Sequence, residues 1–272
     1  MPEIVSKENR LVSWFNKQQG VIIAFSGGVD SALVLFFAKK VLGKEHAIGV
    51  ISKSESLKTK DYQIALDFAT KFDIQLRTIY THELSDSNYV ANTNLRCYYC
   101  KSHLYEELDL VKQQHPHFVI ANGANADDKT DYRPGEKAAR EKGIRSPLAE
   151  CGMTKQEIRL LAKKYGLPVW NKPASPCLSS RIPYGNRVSV DKLRQIEKAE
   201  EIINSYGFEE VRVRHYGSFC KIEVPVSQIE TLRRQFDLVS AQINKATGFE
   251  QCLLDEEGLV SGKLNRTINI NG

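Results

Sequence analysis

Residues 21–31, VIIAFSGGVDS, constrain the fold of this chain more than any other stretch. Five apolar residues at 21–25 predict a short buried strand, and an apolar-periodic helix is predicted at 32–42. Between them, Gly27 and Gly28 let backbone N–H groups crowd around an anion, and the helix N-terminus adds a partial positive charge. Ser26 and Ser31 supply hydroxyl groups. The stretch therefore predicts a strand, a phosphate-binding loop and a helix.

This loop differs from the two common nucleotide-binding loops. A Walker A motif ends in Lys-Ser or Lys-Thr and a dinucleotide fold carries G-x-G-x-x-G, and SGGVDS matches neither. A carboxylate does not favour phosphate directly, so we expect Asp30 to hold Mg²⁺. The alternative is a plain glycine turn. SGGVDS resembles the pyrophosphate loop, or PP-loop, of the ATP pyrophosphatases, which transfer AMP from ATP to an oxygen. The resemblance implies an ATP site that includes Ser26, Gly27, Gly28, Asp30 and Ser31.

Length and composition indicate an ordinary soluble protein. A chain of 272 residues, 42% hydrophobic and 26% charged, forms one large or two modest domains. The excess of 38 Lys and Arg over 33 Asp and Glu suits a small phosphorylated substrate and is milder than in most nucleic-acid binders. The sequence has no run of eighteen apolar residues and no apolar core near its N-terminus. We therefore expect a cytoplasmic protein that is not bound to membranes.

The order of elements predicts an α/β fold with a doubly wound, mostly parallel sheet, over residues 1–185, and a small α+β domain over 186–272. In an open parallel sheet the carboxyl ends of the strands face the ligand. We therefore expect the main chain around Ile51 and Ser52 to contact adenine. Gly123 follows another predicted strand and would allow a close approach to the nucleotide. In the second domain, a capping box at Ser227 predicts one helix over 227–245.

Six cysteines are too few for a disulfide scaffold. Cys97 and Cys100 form a C-x-x-C before a helix predicted from about Lys101, and Cys177 lies in a proline-flanked loop. The pair could form a zinc site with His103 and Cys177, a redox dithiol, or an iron–sulfur cluster with Cys177 as third ligand. An unligated pair is the remaining alternative. Small core residues are the prediction for the other three cysteines, Cys151, Cys220 and Cys252.

Several motifs in this chain occur in the same order as in the LarE family, over nearly its whole length. They are SGGVDS at 26–31, DYRPG at 131–135, NK at 171–172, SSR at 179–181, PYG at 183–185 and VRVR at 211–214. The resemblance implies adenylation of the carboxylate of a pyridinium mononucleotide, followed by sulfur insertion on the way to a nickel-pincer nucleotide. It also implies a homo-oligomer in which the smaller domain serves substrate binding or oligomerisation.

The source of sulfur divides the family into two branches. In one branch a single cysteine is sacrificed, and in the other three cysteines hold a [4Fe–4S] cluster that carries an extra sulfide. Residues 176–181 contain Cys177 and match the loop that provides the sulfur-donor cysteine in the family, and they are called the donor loop below. Because Cys97 and Cys100 accompany Cys177, the resemblance implies the cluster-bearing type, supplied by sulfide or by a sulfur donor. Sacrifice of Cys177 is the alternative within the family.

The resemblance also assigns residues around the second half of the reaction. Arg212 and Arg214 alternate on a predicted strand, so they share a face, and they match positions that bind the substrate phosphate. A solvated strand face is the alternative. Ser180 and Arg181 follow Cys177 closely and would bind the adenylate or its phosphate. The predicted catalytic residues are Asp30, Cys177, Ser180 and Arg181. Glu200 and Glu223 match acidic positions that bind a divalent ion, although a solvated charge would equally explain Glu200.

Other functions use the same loop. A tRNA thiolase is the closest rival, but such proteins usually carry RNA-binding elements or zinc ribbons, and this chain has no second C-x-x-C. A ligase that uses ammonia would not need three cysteines. A non-catalytic nucleotide-binding regulator is disfavoured because Ser26, Asp30 and Ser31 are intact.

Overall fold

The computed structural model describes residues 2–130, 134–260 and 262–267. The chain divides into two compact units, Met1–Glu83 with Cys97–Ser175, and Leu84–Arg96 with Pro176–Gly272. The predicted boundary between residues 185 and 186 stays a prediction, and so do the functions predicted for the two domains. Over the part of the chain that is described, no helix has the length and apolar character needed to cross a bilayer.

The first unit is built on a parallel sheet. Its strands are β1 (Val21–Ala24), β2 (Ala47–Ser52), β3 (Gln75–Ile79) and β4 (Val119–Ala121), in the order β3-β2-β1-β4. All three strand pairs are parallel, and β1 lies between β2 and β4. The predicted α/β class with a parallel sheet is confirmed.

Helices cover both faces of this sheet because successive strand side chains point to opposite faces. Val21 and Ile23 belong to one hydrophobic core and Ile22 to another. The first core packs against α1 (Pro2–Asn16), α2 (Val29–Leu42), α3 (Thr59–Lys71), α7 (Pro147–Glu150) and α8 (Lys155–Lys164). The second packs against α5 (Arg96–Gln113) and α6 (Pro134–Glu141). Burial on both faces explains why β1 is apolar without interruption.

Two helices begin earlier than the sequence pattern predicts. Helix α2 begins at Val29 with Gly28 as its N-cap, so Asp30 and Ser31 lie in its first turn. Helix α5 begins at Arg96, so the C-x-x-C lies in the first turn of that helix and not in a loop before Lys101. The prediction missed both starts because neither first turn shows a helical spacing of apolar residues: α2 begins with VDSA, and α5 begins with RCYYC, whose apolar residues follow one another without a period.

The second unit contains a three-stranded sheet. Strand β5 (Arg212–His215) pairs antiparallel with β6 (Phe219–Glu223), which pairs parallel with β7 (Gln251–Leu254). Short α4 (Ser87–Val90) and long α9 (Val190–Ser205) belong to the same unit. Its core is formed by side chains of α9, the strands and two later helices.

The single helix predicted over 227–245 is wrong. The structure has α10 (Ile229–Arg233) and α11 (Phe236–Thr247), separated where Gln235 leaves the helical conformation. Ser227 does not form the predicted capping box, because it lies in a 3₁₀ turn after Pro225, and Gln228 becomes the N-cap of α10. The capping box of α8 does form, with Thr154 N donating to Glu157 Oε2 at 2.8 Å.

The end of β4 lies against the first turn of α2. A Cβ added to Gly123 would lie 2.6 Å from Ser31 N and 2.9 Å from Ser31 Cα. Those are backbone atoms of the phosphate loop and its helix, so no side chain can move aside to make room. Glycine at 123 therefore lets two segments of the sheet edge approach each other closely.

We expect Gly123→Ala to lower the free energy of unfolding by about 1–3 kcal/mol, because the added methyl overlaps fixed backbone. Thermal or urea denaturation measures the change. Gly135→Ala is the matched control, since its Cβ would meet Lys101 Cγ, which belongs to a flexible side chain, and alanine favours helix α6. Equal stability of the two variants would contradict the packing role of Gly123.

Candidate functional site

The Ser31 hydroxyl makes hydrogen bonds to the backbone of the phosphate loop. It accepts a hydrogen bond from Ser26 N at 3.2 Å and donates to Gly28 O at 3.2 Å. Ser26 Oγ lies 3.0 Å from Ser31 Oγ. Gly27 has a φ of +70°, a conformation that glycine adopts without strain. The loop backbone thus leads directly into the N-terminus of α2, and helix N-termini are sites where anions bind.

A lysine far along the chain, Lys172, contacts the backbone of the phosphate loop. Lys172 Nζ donates to Gly27 O at 3.1 Å and pairs with Asp61 Oδ1 at 2.9 Å. Ser175 Oγ donates to the other oxygen of Asp61 at 2.6 Å. The NK motif at 171–172 is one of the motifs that carry the family resemblance. In the structure, its lysine contacts the phosphate loop.

Asp30 pairs with a second lysine that the sequence analysis missed. Asp30 Oδ2 accepts a hydrogen bond from Lys155 Nζ. Its Oδ1 is buried and has no hydrogen-bond partner among the described residues. The capping box at Thr154 correctly predicted that α8 begins at Lys155, but helical periodicity does not reveal that this side chain reaches a loop 125 positions away.

The residues expected to contact adenine lie at the carboxyl end of β2. The Ile51 side chain is buried in the core, so its backbone is the part that could contact a ligand. Ser52 Oγ lies 2.6 Å from Thr81 Oγ1. Gly123 lies against Ser31 at the neighbouring strand end. The strands thus bring these positions and the phosphate loop to the same sheet edge, while adenine contact itself stays a prediction.

The six cysteines fall into two groups by accessibility. Cys97 is exposed and Cys100 and Cys177 are partly exposed. Cys97 and Cys100 are three residues apart in the first turn of α5, so they share one helix face. Within the residues that the structure describes, no three or more His, Cys, Asp or Glu side chains form a group that could hold a metal. The cluster therefore stays a prediction.

The other cysteines are buried, as predicted: Cys151, Cys220 and Cys252. Cys220 and Cys252 occupy paired positions on β6 and β7, with their sulfur atoms 3.5 Å apart. The hydrogen bond with Cys252 and burial together raise the pKa of the Cys220 thiol. These three residues act as small core side chains.

The second unit contains a cavity of about 120 Å³ lined by cationic side chains. Arg212 and Arg214 of β5 both line it, as expected for alternate residues of one strand. Ser180 also lines the cavity, and Pro176 brings in the segment next to Cys177. Tyr184, from the PYG motif, lines it as well, and Arg96 and Lys263 are further lining residues that the sequence analysis missed.

The two strand arginines differ in their partners. Arg214 pairs with the fully buried Glu223 at 2.8 Å and donates to Ser180 O at 2.8 Å. Arg212 donates to Val260 O at 3.3 Å, and no carboxylate of a described residue lies within hydrogen-bonding distance of it. Burial, followed by the nearby positive charges, lowers the pKa of Arg212. An anion in the cavity would neutralise Arg212, whereas Arg214 is already paired with Glu223.

Arg181 fixes the backbone around Cys177. It is 1% exposed, and its Nη1 donates to Pro176 O at 2.8 Å and Cys177 O at 3.3 Å. The same nitrogen contacts Ser180 Oγ at 2.8 Å. Arg181 Nε donates to Glu200 Oε1 at 2.8 Å. Arg181 thus holds the donor loop in one conformation.

The two acidic residues expected to bind a divalent ion are both buried. Glu200 is 4% exposed and pairs with Arg181, so the alternative of a solvated helix charge is wrong. Glu223 pairs with Arg214 and lies 3.5 Å from Lys263 Nζ. Glu223 Oε1 has no hydrogen-bond partner among the described residues. Ion binding by this pair stays a prediction.

One sequence motif falls partly outside the structure. The first three residues of DYRPG, at 131–133, lie outside the described residues.

Lys263 is a cavity-lining residue that the sequence analysis could not identify, because it lies in a polar stretch with no recognisable motif. Its ammonium pairs with Asp255 at 2.8 Å, a contact that only the fold creates.

Comparison with known proteins places these features in a family. The NAD synthase family model matches residues 8–95, which include the phosphate loop. The uncharacterized protein slr1717 of Synechocystis sp. is 40% identical, over 97% of this chain and 98% of that protein. The tRNA-specific 2-thiouridylase MnmA of Rickettsia conorii is 28% identical, over 73% of this chain and 64% of its own length.

A characterised relative matches over nearly its whole length. The pyridinium-3,5-bisthiocarboxylic acid mononucleotide synthase of Lactiplantibacillus plantarum is 35% identical, over 98% of this chain and 97% of that protein. The match therefore spans both units, including the phosphate loop, the donor loop and β5. The chain belongs to the LarE family of ATP-dependent sulfur transferases, within the PP-loop superfamily.

Proposed function

We propose that this enzyme adenylates a carboxylate of pyridinium-3,5-biscarboxylic acid mononucleotide, releases pyrophosphate, and replaces the activated oxygen with sulfur. The observation that carries the proposal is Arg212, a buried guanidinium in a cavity where it has no carboxylate partner among the described residues. Such a site suits the phosphate of a small mononucleotide. The related synthase of L. plantarum supports this choice of substrate.

The first unit would carry out the ATP half of the reaction. Backbone N–H groups of the loop and the N-terminus of α2 would bind the phosphates. Asp30 fits a magnesium ligand, because one carboxylate oxygen is buried without a hydrogen-bond partner among the described residues. Bound magnesium would neutralise part of the triphosphate charge. The carboxylate of the substrate attacks the α-phosphorus, and pyrophosphate leaves.

The second unit would bind the substrate and present the sulfur-donor loop. Arg212 would bind the phosphate, while Arg214 would orient Ser180 through its carbonyl. Arg181 donates a hydrogen bond to the Cys177 carbonyl, so the backbone that carries the Cys177 thiol is held in position. Sulfur then displaces AMP, which is a good leaving group, and the product is a thiocarboxylate. The homo-oligomer implied by the family resemblance stays a prediction.

The family resemblance implies an iron–sulfur cluster, and three cysteines of this chain have the side-chain chemistry to bind it. Thiolates are the ligands that such clusters use, and the three accessible cysteines of this chain are those predicted to bind it: Cys97, Cys100 and Cys177. When bound, the cluster would hold the extra sulfide at an iron that has no cysteine ligand. Buried Cys151, Cys220 and Cys252 are unsuited to that role.

A substrate assay tests the function, and Arg212→Gln tests the substrate site. Wild-type enzyme should form AMP and pyrophosphate with the pyridinium mononucleotide and not with tRNA. Arg212→Gln should raise the KM for the mononucleotide about 10- to 100-fold, because one charged hydrogen-bonding group is lost, and should leave ATP binding unchanged. Exposed Arg194→Gln is the matched control.

Two outcomes would contradict this account. AMP formation that depends on tRNA would identify a tRNA thiolase. An unchanged KM in Arg212→Gln would remove Arg212 from the substrate site. Arg214→Gln is unsuitable for this comparison, because it would remove the nearer cationic partner of buried Glu223 and cost about 3–5 kcal/mol of stability.

Anaerobic reconstitution tests the cluster. With iron and sulfide, the wild-type protein should develop visible absorption that Cys97→Ala loses, because a cluster ligand is missing. Cys151→Ala should keep the absorption, since Cys151 is buried away from solvent. A colourless, iron-free protein with full multiple-turnover activity would refute the cluster. Loss of the mass of one sulfur from Cys177 after a single turnover would instead show that this cysteine is sacrificed.

A further inference from the structure

The phosphate loop acquires a lysine that its own motif lacks. A Walker A loop carries a lysine that reaches the β- and γ-phosphates, and SGGVDS carries none. In this structure Lys155, at the first position of α8, extends its ammonium to Asp30 in the loop. The backbone of Lys155 is fixed as well, because its N–H donates to Asp127 Oδ2 at 2.8 Å.

The two lysines at the loop have different freedom to move. Lys172 is 15% exposed and holds both Gly27 O and Asp61, so it is built into the loop. Lys155 is 39% exposed, and among the described residues its ammonium hydrogen-bonds to Asp30 alone. Partly exposed ion pairs contribute little to stability, so exchanging this partner costs little. Lys155 can therefore change partner, whereas Lys172 cannot without disturbing the loop.

We propose that Lys155 binds the pyrophosphate portion of ATP. Without nucleotide, its ammonium neutralises Asp30. When ATP binds, the ammonium turns from Asp30 to the β- or γ-phosphate oxygens and leaves the carboxylate available to a cation. Lys155 then stabilises the negative charge that builds up on pyrophosphate as it leaves. This inference rests on the proposed use of ATP.

The position of Lys155 explains why the interaction is specific to pyrophosphate. Its partner Asp30 lies in the first turn of α2, beside the N–H groups that would bind phosphate. The residues expected near adenine lie at the end of a different strand, β2. Removal of the ammonium should therefore affect ligands that carry a pyrophosphate group and spare AMP.

Calorimetric titration of the full-length protein with three ligands tests this role. Lys155→Met should bind α,β-methylene-ATP and inorganic pyrophosphate about 10- to 100-fold more weakly than wild type, with unchanged affinity for AMP. Lys155→Arg should recover part of the loss, because it restores the charge. Lys163→Met, an exposed lysine on the same helix, is the control and should behave like wild type.

Two results would overturn the role of Lys155. One is an unchanged affinity of Lys155→Met for pyrophosphate, and the other is an equal loss of affinity for AMP, which would indicate general damage to the loop. The melting temperature of each variant separates such damage from a lost contact. A wild-type protein that binds none of the three ligands would instead overturn the proposed function, and this inference with it.

Discussion

The burial of β1 on both faces is the constraint on which the first unit depends. Its side chains alternate between two cores, so the strand is held from both sides and cannot shift in register without exposing apolar groups. The loop follows this strand directly, and α2 begins at Val29. A rigid strand therefore fixes where the N–H groups of the loop point. Gly123 adds a second restraint, because its backbone packs on Ser31.

Charge pairing organises the second unit in a comparable way. Buried charges are tolerated when they are paired, and the structure pairs Arg181 with Glu200 and Arg214 with Glu223. These pairs hold the donor loop through the carbonyls of Cys177 and Ser180. Arg212 is the exception among the strand arginines, since it has no carboxylate partner in the described residues. One cation of the cavity is thereby available for an anion, which we propose is the substrate phosphate, while its neighbours are already paired.

The sequence predicted those features that depend on local pattern. Alternating apolar strands and helices indicated the parallel sheet, and the spacing of Arg212 and Arg214 indicated a shared face. Capping residues gave the start of α8 correctly but failed at Ser227, where Pro225 is followed by a 3₁₀ turn. Contacts between distant segments could not be predicted in this way. The pairing of Lys155 with Asp30, and the difference between Arg212 and Arg214, arise only when the chain folds.

In the proposed reaction, the substrate carboxylate itself attacks ATP at the α-phosphorus. The most direct measurement is to label that carboxylate with ¹⁸O, run the reaction with ATP and a sulfur source, and analyse the products by mass spectrometry. Because the acyl–adenylate breaks when sulfur attacks the carbonyl carbon, we expect one ¹⁸O atom in each AMP released and none in pyrophosphate. Label in pyrophosphate or inorganic phosphate, or AMP without label, would contradict attack by the substrate carboxylate on the α-phosphorus.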